Sequence, residues 1–306
     1  YEFNGPAASA ALDAAKFDTK VPLVLHVPDA PVPGLPDPAA TAAAVRDQLA
    51  ASVGVGVEVD VMPSDELLAA VAEGTLGGLY LGGVRSSLAD PSGFLEPLFG
   101  ATATGTAAER AKGVREALDD AAQETTATAR EAAFAVANDA IRSTAAIVPL
   151  AHAGSTVAYR ADVEGVAVSP LGADPVGAFV PGDRRQLVVM GEAAPVGAWC
   201  AMDASPAALR LCALVTPGLY AFDGATLEAR PALASRCTPS PDARTWTCRL
   251  REDLAYSDGA RVDAGDVVES IRAQADAGSA LRAAYPAGAF AAWDELFGGP
   301  VPATTR

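Results

Sequence analysis

Long apolar runs and basic residues are both scarce in this 306-residue chain. No run approaches the roughly 20 apolar residues that a membrane-spanning helix needs. The 22 lysine and arginine residues face 38 aspartate and glutamate residues, and the net charge of −16 argues against a nucleic-acid partner, whose phosphates require cations. No charged segment followed by an apolar one opens the chain, so we expect any export signal or lipid anchor to lie outside it.

Sequence motifs for catalysis and cofactor binding are lacking as well. The chain contains no G-x-S-x-G, no G-x-x-x-x-G-K-[ST] and no H-E-x-x-H, and no G-x-G-x-x-G follows a strand and opens a helix. His26 and His152 are the only histidines, and each stands alone in an apolar, strand-like setting. The sequence therefore predicts no enzyme, no cofactor and no metal site.

Strands and helices alternate through residues 1–145, which predicts a mainly parallel α/β layer. Residues 22–27 are apolar and β-branched, and residues 55–61 alternate with a period of two. Asp37 and Pro38 are typical of a helix start, and apolar residues follow at helical spacing. A further strand is predicted at Gly77–Gly83, and two alanine-rich helices at 107–122 and 125–142.

The four cysteines, Cys200, Cys212, Cys237 and Cys248, are even in number and lack the close spacing of zinc sites. Cys237 and Cys248 flank a turn rich in proline and aspartate, so they can face each other across a hairpin. Cys200 and Cys212 then pair by exclusion. The alternative is four buried free thiols, which is the usual state in a cytosolic protein.

The stretch from Arg230 to Ile271 is the most informative part of the chain. It contains a proline-leucine-alanine segment, a W-T-x-x-L-R strand, an S-D-G turn and an A-x-D-V helix start, at Pro231–Ala234, Trp246–Arg251, Ser257–Gly259 and Ala264–Val267. This block resembles the bacterial extracellular solute-binding proteins of family 5, which feed peptide, dipeptide and nickel importers. The family carries the block near its N-terminus, whereas here it lies near the C-terminus.

Residues 1–172 resemble the C-terminal half of the same family, in the order that the family uses. The similar segments are the helix Tyr1–Phe17, the stretch TAAAVRDQLAASVGVGVEVDVMP, the D-P-x-x-F-L-x-P-L-F signature that ends at Phe99, and the closing stretch IVPLAHAGSTVAYRADVEGVAVSPLG. The family's middle portion has no visible counterpart. The chain is either circularly permuted or holds the tail of one copy followed by the head of the next.

The resemblance implies an α/β fold with periplasmic-binding-protein-like lobes of the class II solute-binding type, permuted or incomplete, with a small β-rich extension. Residues 1–144 are expected to form the lobe that resembles the family's C-terminal lobe. Residues 145–222 form part of the first lobe, with a linker at 171–186 and a strand at Leu187–Met190, and 223–306 add a hairpin and a helix. In the permuted alternative, residues 145–170 pair with the strand near Leu187.

The function that the resemblance implies is binding without chemistry, with the ligand held between two lobes and passed to a membrane permease. Peptide-binding members present a tryptophan and, three residues later, an aspartate that pairs with the peptide's amino terminus. Val84 and Ser87 stand at these places, which weakens an amine site because a carboxylate binds ammonium far more strongly than a hydroxyl does. Asp90 stays acidic, but it also suits a cap on the helix Ser92–Phe99.

On the other lobe, LVTPGLYAFDG is similar to the segment whose backbone passes the ligand. Thr216, Pro217, Gly218 and Leu219 are therefore candidate binding residues, and a plain turn is the alternative. Trp199 and Tyr220 can stack on a ligand, although aromatic residues beside strands are more often core residues. Asp263 is expected to cap the helix that begins near Ala264.

Two functions follow from this sequence. The first is an extracytoplasmic solute-binding protein of an ABC importer, with a small solute or peptide-like ligand, a permease as the expected membrane partner, and contact with the membrane only through an anchor outside this chain. The second is a degenerate relative that keeps the fold as an extracytoplasmic scaffold or regulatory protein. Val84, Ser87 and the missing middle portion favour the second over an ordinary family member.

Overall fold

The computed structural model describes most of the chain: residues 3–86, 88–100, 112–152, 154, 156–172, 174–190, 199–202, 205–224, 226–286, 289–290, 293–294 and 297–302. The chain divides into two compact units. The first consists of Tyr1–Arg85, Phe94–Leu118 and Phe134–Ala153, and the second of Ser86–Gly93, Asp119–Ala133 and Gly154–Arg306.

The first unit is built on a three-stranded parallel sheet. Its strands are β1 (Leu23–Pro28), β2 (Val57–Met62) and β3 (Leu79–Tyr80), in the spatial order β2-β1-β3. Strands β1 and β2 confirm the strands predicted at 22–27 and 55–61. Strand β3 is only two residues long, shorter than the predicted Gly77–Gly83, because only Leu79 and Tyr80 pair with β1.

Three helices accompany this sheet: α1 (Gly5–Ala14), α2 (Pro38–Val53) and α3 (Ser64–Glu73). Asp37 caps α2 by accepting the Ala40 N–H at 2.9 Å, and Pro38 occupies the first turn. The helix ends at Gly54, whose φ of 70° is left-handed and suits glycine. The predicted helix start at Asp37 and Pro38 is confirmed.

The face of the sheet toward α2 holds the first core of this unit. Leu25, Val27 and Val57 are buried there, together with Ala42 on α2. The alternation of apolar residues in β1 and β2 places these side chains on one face, so burying them fixes the register of the pair. The parallel sheet and its packed helices confirm the predicted α/β class.

A second core in the same unit gathers around Phe99. This residue ends α4 (Ser92–Phe99) and packs with residues of α5 (Lys112–Gln123) and α6 (Ala127–Thr144). The two long helices predicted at 107–122 and 125–142 are confirmed within the described residues. Ile147 also packs against this cluster.

The second unit contains the remaining elements. Its described part contains two antiparallel strand pairs, and Tyr220 and Ala229 lie in the first pair. Its helices are α7 (Pro206–Val215), α8 (Ala264–Ala275) and α9 (Ala280–Ala283), with a 3₁₀ turn at Val176–Ala178; its strands are β4 (Tyr220–Phe222), β5 (Ala229–Pro231), β6 (Ala234–Pro239) and β7 (Trp246–Leu250).

The strand predicted at Leu187–Met190 is wrong. These residues form no strand, and Val188, Val189 and Met190 are exposed. A strand needs a partner for its backbone groups, and no described strand lies beside them. Because Ile147 packs in the Phe99 cluster, the permuted order gains no support from this part of the fold. The division into 1–144, 145–222 and 223–306 stays a prediction.

Candidate ligand-binding segments

The Thr216–Leu219 segment follows α7 directly, and hydrogen bonds hold it at both ends. The Thr216 N–H and hydroxyl both donate to the Cys212 carbonyl, at 2.8 and 3.0 Å. At the other end, the Gly218 carbonyl accepts the Leu233 N–H at 3.1 Å. The segment is therefore a fixed connection between α7 and the strand β4.

The Leu219 carbonyl adds two more bonds, because it accepts the N–H groups of Ala232 and Ala234, each at 3.0 Å. Thr216, Pro217 and Gly218 are exposed, so their remaining backbone groups can reach a ligand. A Cβ at Gly218 would lie 2.9 Å from the Tyr220 carbonyl oxygen. Glycine therefore allows this close approach of the backbone to Tyr220, independently of any ligand.

The structure pairs the four cysteines as the sequence analysis predicts. Cys200 bonds to Cys212 on α7, with their Cα atoms 5.5 Å apart. Cys237 bonds to Cys248 across the β6–β7 hairpin, where the two residues lie directly opposite each other with Cα atoms 4.0 Å apart. The first pair lies one helical turn before Thr216, so it restrains the start of the candidate segment.

We expect a purified sample to contain no free thiol, because all four cysteines have a bonding partner in the structure. Titration with a thiol reagent under denaturing, non-reducing conditions measures this directly. The same titration after reduction should release four thiols, which serves as the positive control. Two or more reactive thiols before reduction would contradict the pairing.

Asp90 has two hydrogen-bond partners in its own unit. Its Oδ1 accepts the Ser92 N–H at 3.0 Å at the start of α4, and its Oδ2 accepts from the Arg130 guanidinium at 2.6 Å. Partial burial opposes its ionisation, but the hydrogen bonds from Ser92 and the bond and charge of Arg130 together hold the pKa of Asp90 below its usual value. The bond from Ser92 is the capping role considered for Asp90. Arg130 balances the charge of the carboxylate.

The other predicted binding residues have mixed outcomes. Ser87 lies outside the described residues. Val84 is 45% exposed and fills no core position. Trp199 packs against the cluster of Ala201, Met202 and Phe290, which is a core role. No hydrogen bond or ion pair joins Asp90 to the Thr216–Leu219 segment within the described residues.

Tyr220 also has a structural role. Its hydroxyl oxygen accepts the Cys237 N–H at 3.0 Å, so the side chain connects β4 to β6. Asp263 caps α8 as predicted, and Asp266 completes a reciprocal capping box by accepting the Asp263 N–H. These residues stabilise the hairpin region and leave the backbone of Thr216–Leu219 as the ligand-facing candidate.

Two ion pairs beside the candidate residues escaped the sequence analysis. Arg130 with Asp90 is one, and Arg210 of α7 with Asp174, at 3.1 Å, is the other. Asp174 also accepts the Ser169 N–H at 2.9 Å, so it ties a loop to the helix that leads into Thr216. The partners are 40 and 36 residues apart in the chain, and no sequence spacing indicates such contacts.

His26 is held by both ring nitrogens. Nδ1 lies 2.9 Å from an Asp60 carboxylate oxygen, and Nε2 lies 3.0 Å from the Gly77 carbonyl oxygen. The ring therefore joins β1, β2 and the turn before β3. In the described part of the chain, no group of three or more histidine, cysteine, aspartate or glutamate side chains is placed to hold a metal ion. None of the described helices is long and apolar enough to cross a membrane.

Comparison with known proteins finds one family. Residues 228–302 match the sequence profile described as bacterial extracellular solute-binding proteins, family 5 Middle. For that part of the chain, the match confirms the resemblance noted from Arg230 to Ile271. The predicted class II solute-binding type of fold was based on that resemblance. No curated protein matches the chain.

Two solved structures are similar at low identity. One is a dipeptide binding protein from Pseudoalteromonas sp. SM9913 in complex with Met-Leu, with a TM-score of 0.47 and 21% identity over 58% of this chain and 35% of that chain. The other is the pheromone receptor PrgZ, with a TM-score of 0.43 and 21% identity over 56% of this chain and 33% of that one. The chain thus spans about a third of the length of either protein.

Proposed function

We propose that this chain is an extracytoplasmic solute-binding protein that holds a small solute or peptide-like ligand without chemistry and delivers it to the permease of an ABC importer. The observation that carries the proposal is the family match over residues 228–302. The Leu219 carbonyl is hydrogen-bonded to Ala232 and Ala234 inside the matched region. The candidate binding segment is thus part of the same structural unit as the family-like hairpin.

The binding mode that we propose relies on the backbone of Thr216–Leu219 and on no carboxylate anchor for the ligand's amino group. Asp90 accepts from Ser92 and forms an ion pair with Arg130, so its charge is already balanced and attracts an ammonium group less strongly than a free carboxylate does. Ser87 offers a hydroxyl, and Val84 offers no aromatic surface. A peptide-like ligand is therefore recognised by main-chain and shape contacts rather than by its terminal charge.

The scaffold function remains the second candidate, and the residues at the expected amine site favour it. The balanced charge of Asp90 and the departures at Val84 and Ser87 remove the amine site that peptide-binding family members use. A chain with this fold and without a ligand would act through its surface on other proteins. The two candidates give opposite results in a ligand titration.

We expect calorimetric titration with matched pools of free and N-acetylated di- to hexapeptides to reveal ligands with Kd on the order of micromolar. Acetylation should change the affinity by less than about threefold, because no charge-assisted bond to the amine is lost. The Gly218→Ala variant should bind at least about tenfold more weakly, since its Cβ would force the backbone away from Tyr220.

Gly77→Ala is the matched control, because a Cβ there meets no atom within 4 Å. It should bind like the unmodified chain. Absence of binding in both pools would favour the scaffold function over the solute-binding one. Binding that disappears on acetylation would instead reveal an amine anchor, and an Asp90→Asn variant would then test whether Asp90 supplies it.

A further inference from the structure

Within the described residues, no backbone hydrogen bond reaches the outer edge of β2. Toward β1, the Gly56 carbonyl accepts the Leu23 N–H and the Met62 carbonyl accepts the Asp29 N–H, both at 2.9 Å. In a parallel pair, alternate residues direct both backbone groups to the same side. The residues between those bonded to β1 therefore direct their N–H and C=O groups away from β1. These residues are Val57, Val59 and Val61. Strand β2 is an edge strand of the sheet, in the order β2-β1-β3.

The side chains along this edge alternate in chemistry as well as in direction. Val59 and Val61 are 36% and 57% exposed, on the face where the neighbouring Val57 is buried. Glu58 and Asp60 are exposed on the opposite face. Asp60 contacts His26, yet its side chain is 52% exposed. An added strand would therefore meet apolar side chains on one face and carboxylates on the other.

Acidic side chains dominate the segment of chain that contains β2. Residues 47–84 contain no lysine or arginine. Among the described ion pairs, Asp47 and Asp60 alone in this stretch have a partner, Arg46 and His26 respectively. This segment therefore contributes negative charge beside β2, which favours a cationic partner over an anionic one. The acidic residues of the stretch are Asp47, Glu58, Asp60, Asp65, Glu66 and Glu73.

A second copy of this chain is a poor occupant of the edge. Antiparallel pairing of two β2 strands about Val59 would place Glu58 of one copy opposite Asp60 of the other. Like charges directly opposite each other destabilise a strand pair. Charged side chains on an exposed edge are a common protection against self-association of this kind. The same charges do not oppose a strand that carries cations at those positions.

We propose that the outer edge of β2 binds an extended cationic segment of a partner protein, in which lysine or arginine alternates with apolar residues. Main-chain hydrogen bonds to Val57, Val59 and Val61 extend the sheet by one strand. The partner's apolar side chains lie beside Val59 and Val61, and its cations lie beside Glu58 and Asp60. This surface belongs to the first unit, whereas the candidate segment Thr216–Leu219 belongs to the second.

The probe is a capped peptide of roughly eight residues in which lysine and valine alternate, long enough to span the 6 residues of β2. We expect it to bind the full chain and to protect the amide protons of Val57, Val59 and Val61 from hydrogen exchange. Binding should weaken with added salt, because the attraction is between charges. A peptide of the same composition with its lysines and valines in two blocks, and an alternating glutamate and valine peptide, should not bind.

Backbone pairing is tested on the peptide itself, so the result does not depend on a protein variant that folds. N-methylation of one alternate set of peptide residues removes the donors that face β2 and should weaken binding at least about tenfold. N-methylation of the other set leaves those donors intact and should have a smaller effect. Equal effects of the two sets would overturn the proposal.

Charge recognition is tested with Glu58→Lys, which should weaken binding by about three- to tenfold through loss of attraction and new repulsion. Glu131→Lys changes the net charge by the same amount at an exposed position on α6 and should leave binding unchanged. Three outcomes would each overturn the assignment of this edge. The two variants could weaken binding equally, or the block peptide could bind as tightly as the alternating one. Amide protection could also be confined to other segments.

Discussion

Phe99→Ala is expected to lower the free energy of unfolding of the first unit by about 3–5 kcal/mol, because truncating a buried phenylalanine loses transfer energy and leaves a cavity. Phe99 is 1% exposed and packs with Val114, Ala117 and Leu118 of α5. Since α4, α5 and α6 meet at this side chain, the loss should be visible as a lower urea midpoint in the helical circular dichroism signal.

Phe94→Ala is the matched control on the same helix. Phe94 is 44% exposed, so the same truncation there should cost less than about 1 kcal/mol. The comparison separates burial of the ring from any effect of alanine on the helix. A loss at position 94 as large as that at position 99 would show that the Phe99 cluster is not the core of this unit.

The parts of the fold that sequence reasoning predicted are those with local signals. Asp37 and Pro38 are adjacent and start α2, and Asp263 lies three residues before its capping partner Asp266. The Cys237–Cys248 hairpin is likewise local, because a short turn brings the two strands together. Interactions over a few residues depend little on the rest of the fold, so their patterns can be read directly.

Features that depend on distant partners could not be predicted in the same way. Residues Leu187–Met190 are apolar enough for a strand, but apolar composition cannot supply the neighbour that a strand requires. The same holds for the strand predicted at Gly77–Gly83. Only the two residues that pair with β1 form a strand there. Pairing depends on the position of another segment, which periodicity does not contain.

The candidate site shows both cases. Gly218 was a candidate through the resemblance, with a plain turn as the alternative, and a Cβ there would lie 2.9 Å from the Tyr220 carbonyl oxygen. The role of Asp90 was considered as a helix cap, yet its bond to Arg130 crosses 40 residues of sequence and was not foreseen. A capped and ion-paired carboxylate differs in chemistry from a free one, so the distant arginine decides what Asp90 can bind.

The second large effect is expected at Asp174, where Asp174→Ala should lower the free energy of unfolding of the second unit by about 2–4 kcal/mol. The side chains of Asp174 and Arg210 are only 12% and 23% exposed, so the truncation leaves a largely buried guanidinium without its carboxylate. It also removes the acceptor for the Ser169 N–H. Chemical denaturation monitored by tryptophan fluorescence measures the loss, because the described Trp199, Trp246 and Trp293 lie in this unit.

Asp162→Ala serves as the control for removing an aspartate that binds arginine. Asp162 is 41% exposed and contacts Arg160 and Arg184 at the surface, where an ion pair contributes little to stability. A loss at Asp174 no greater than that at Asp162 would show that the Asp174–Arg210 pair is a surface contact in energetic terms.

The double variant Asp174→Ala with Arg210→Met separates the charge from the packing. Replacing the unpaired guanidinium by an apolar side chain should recover part of the stability that Asp174→Ala loses, because the buried charge without a partner is the main cost.

Arg210 lies on α7, which leads directly into Thr216. If the Thr216–Leu219 backbone binds the ligand, Asp174→Ala should also weaken peptide binding under conditions where the variant is folded. The double variant should then recover peptide binding in the same proportion as it recovers stability. Recovered stability without recovered binding would mean that Arg210 itself, rather than the position of α7, matters to the ligand.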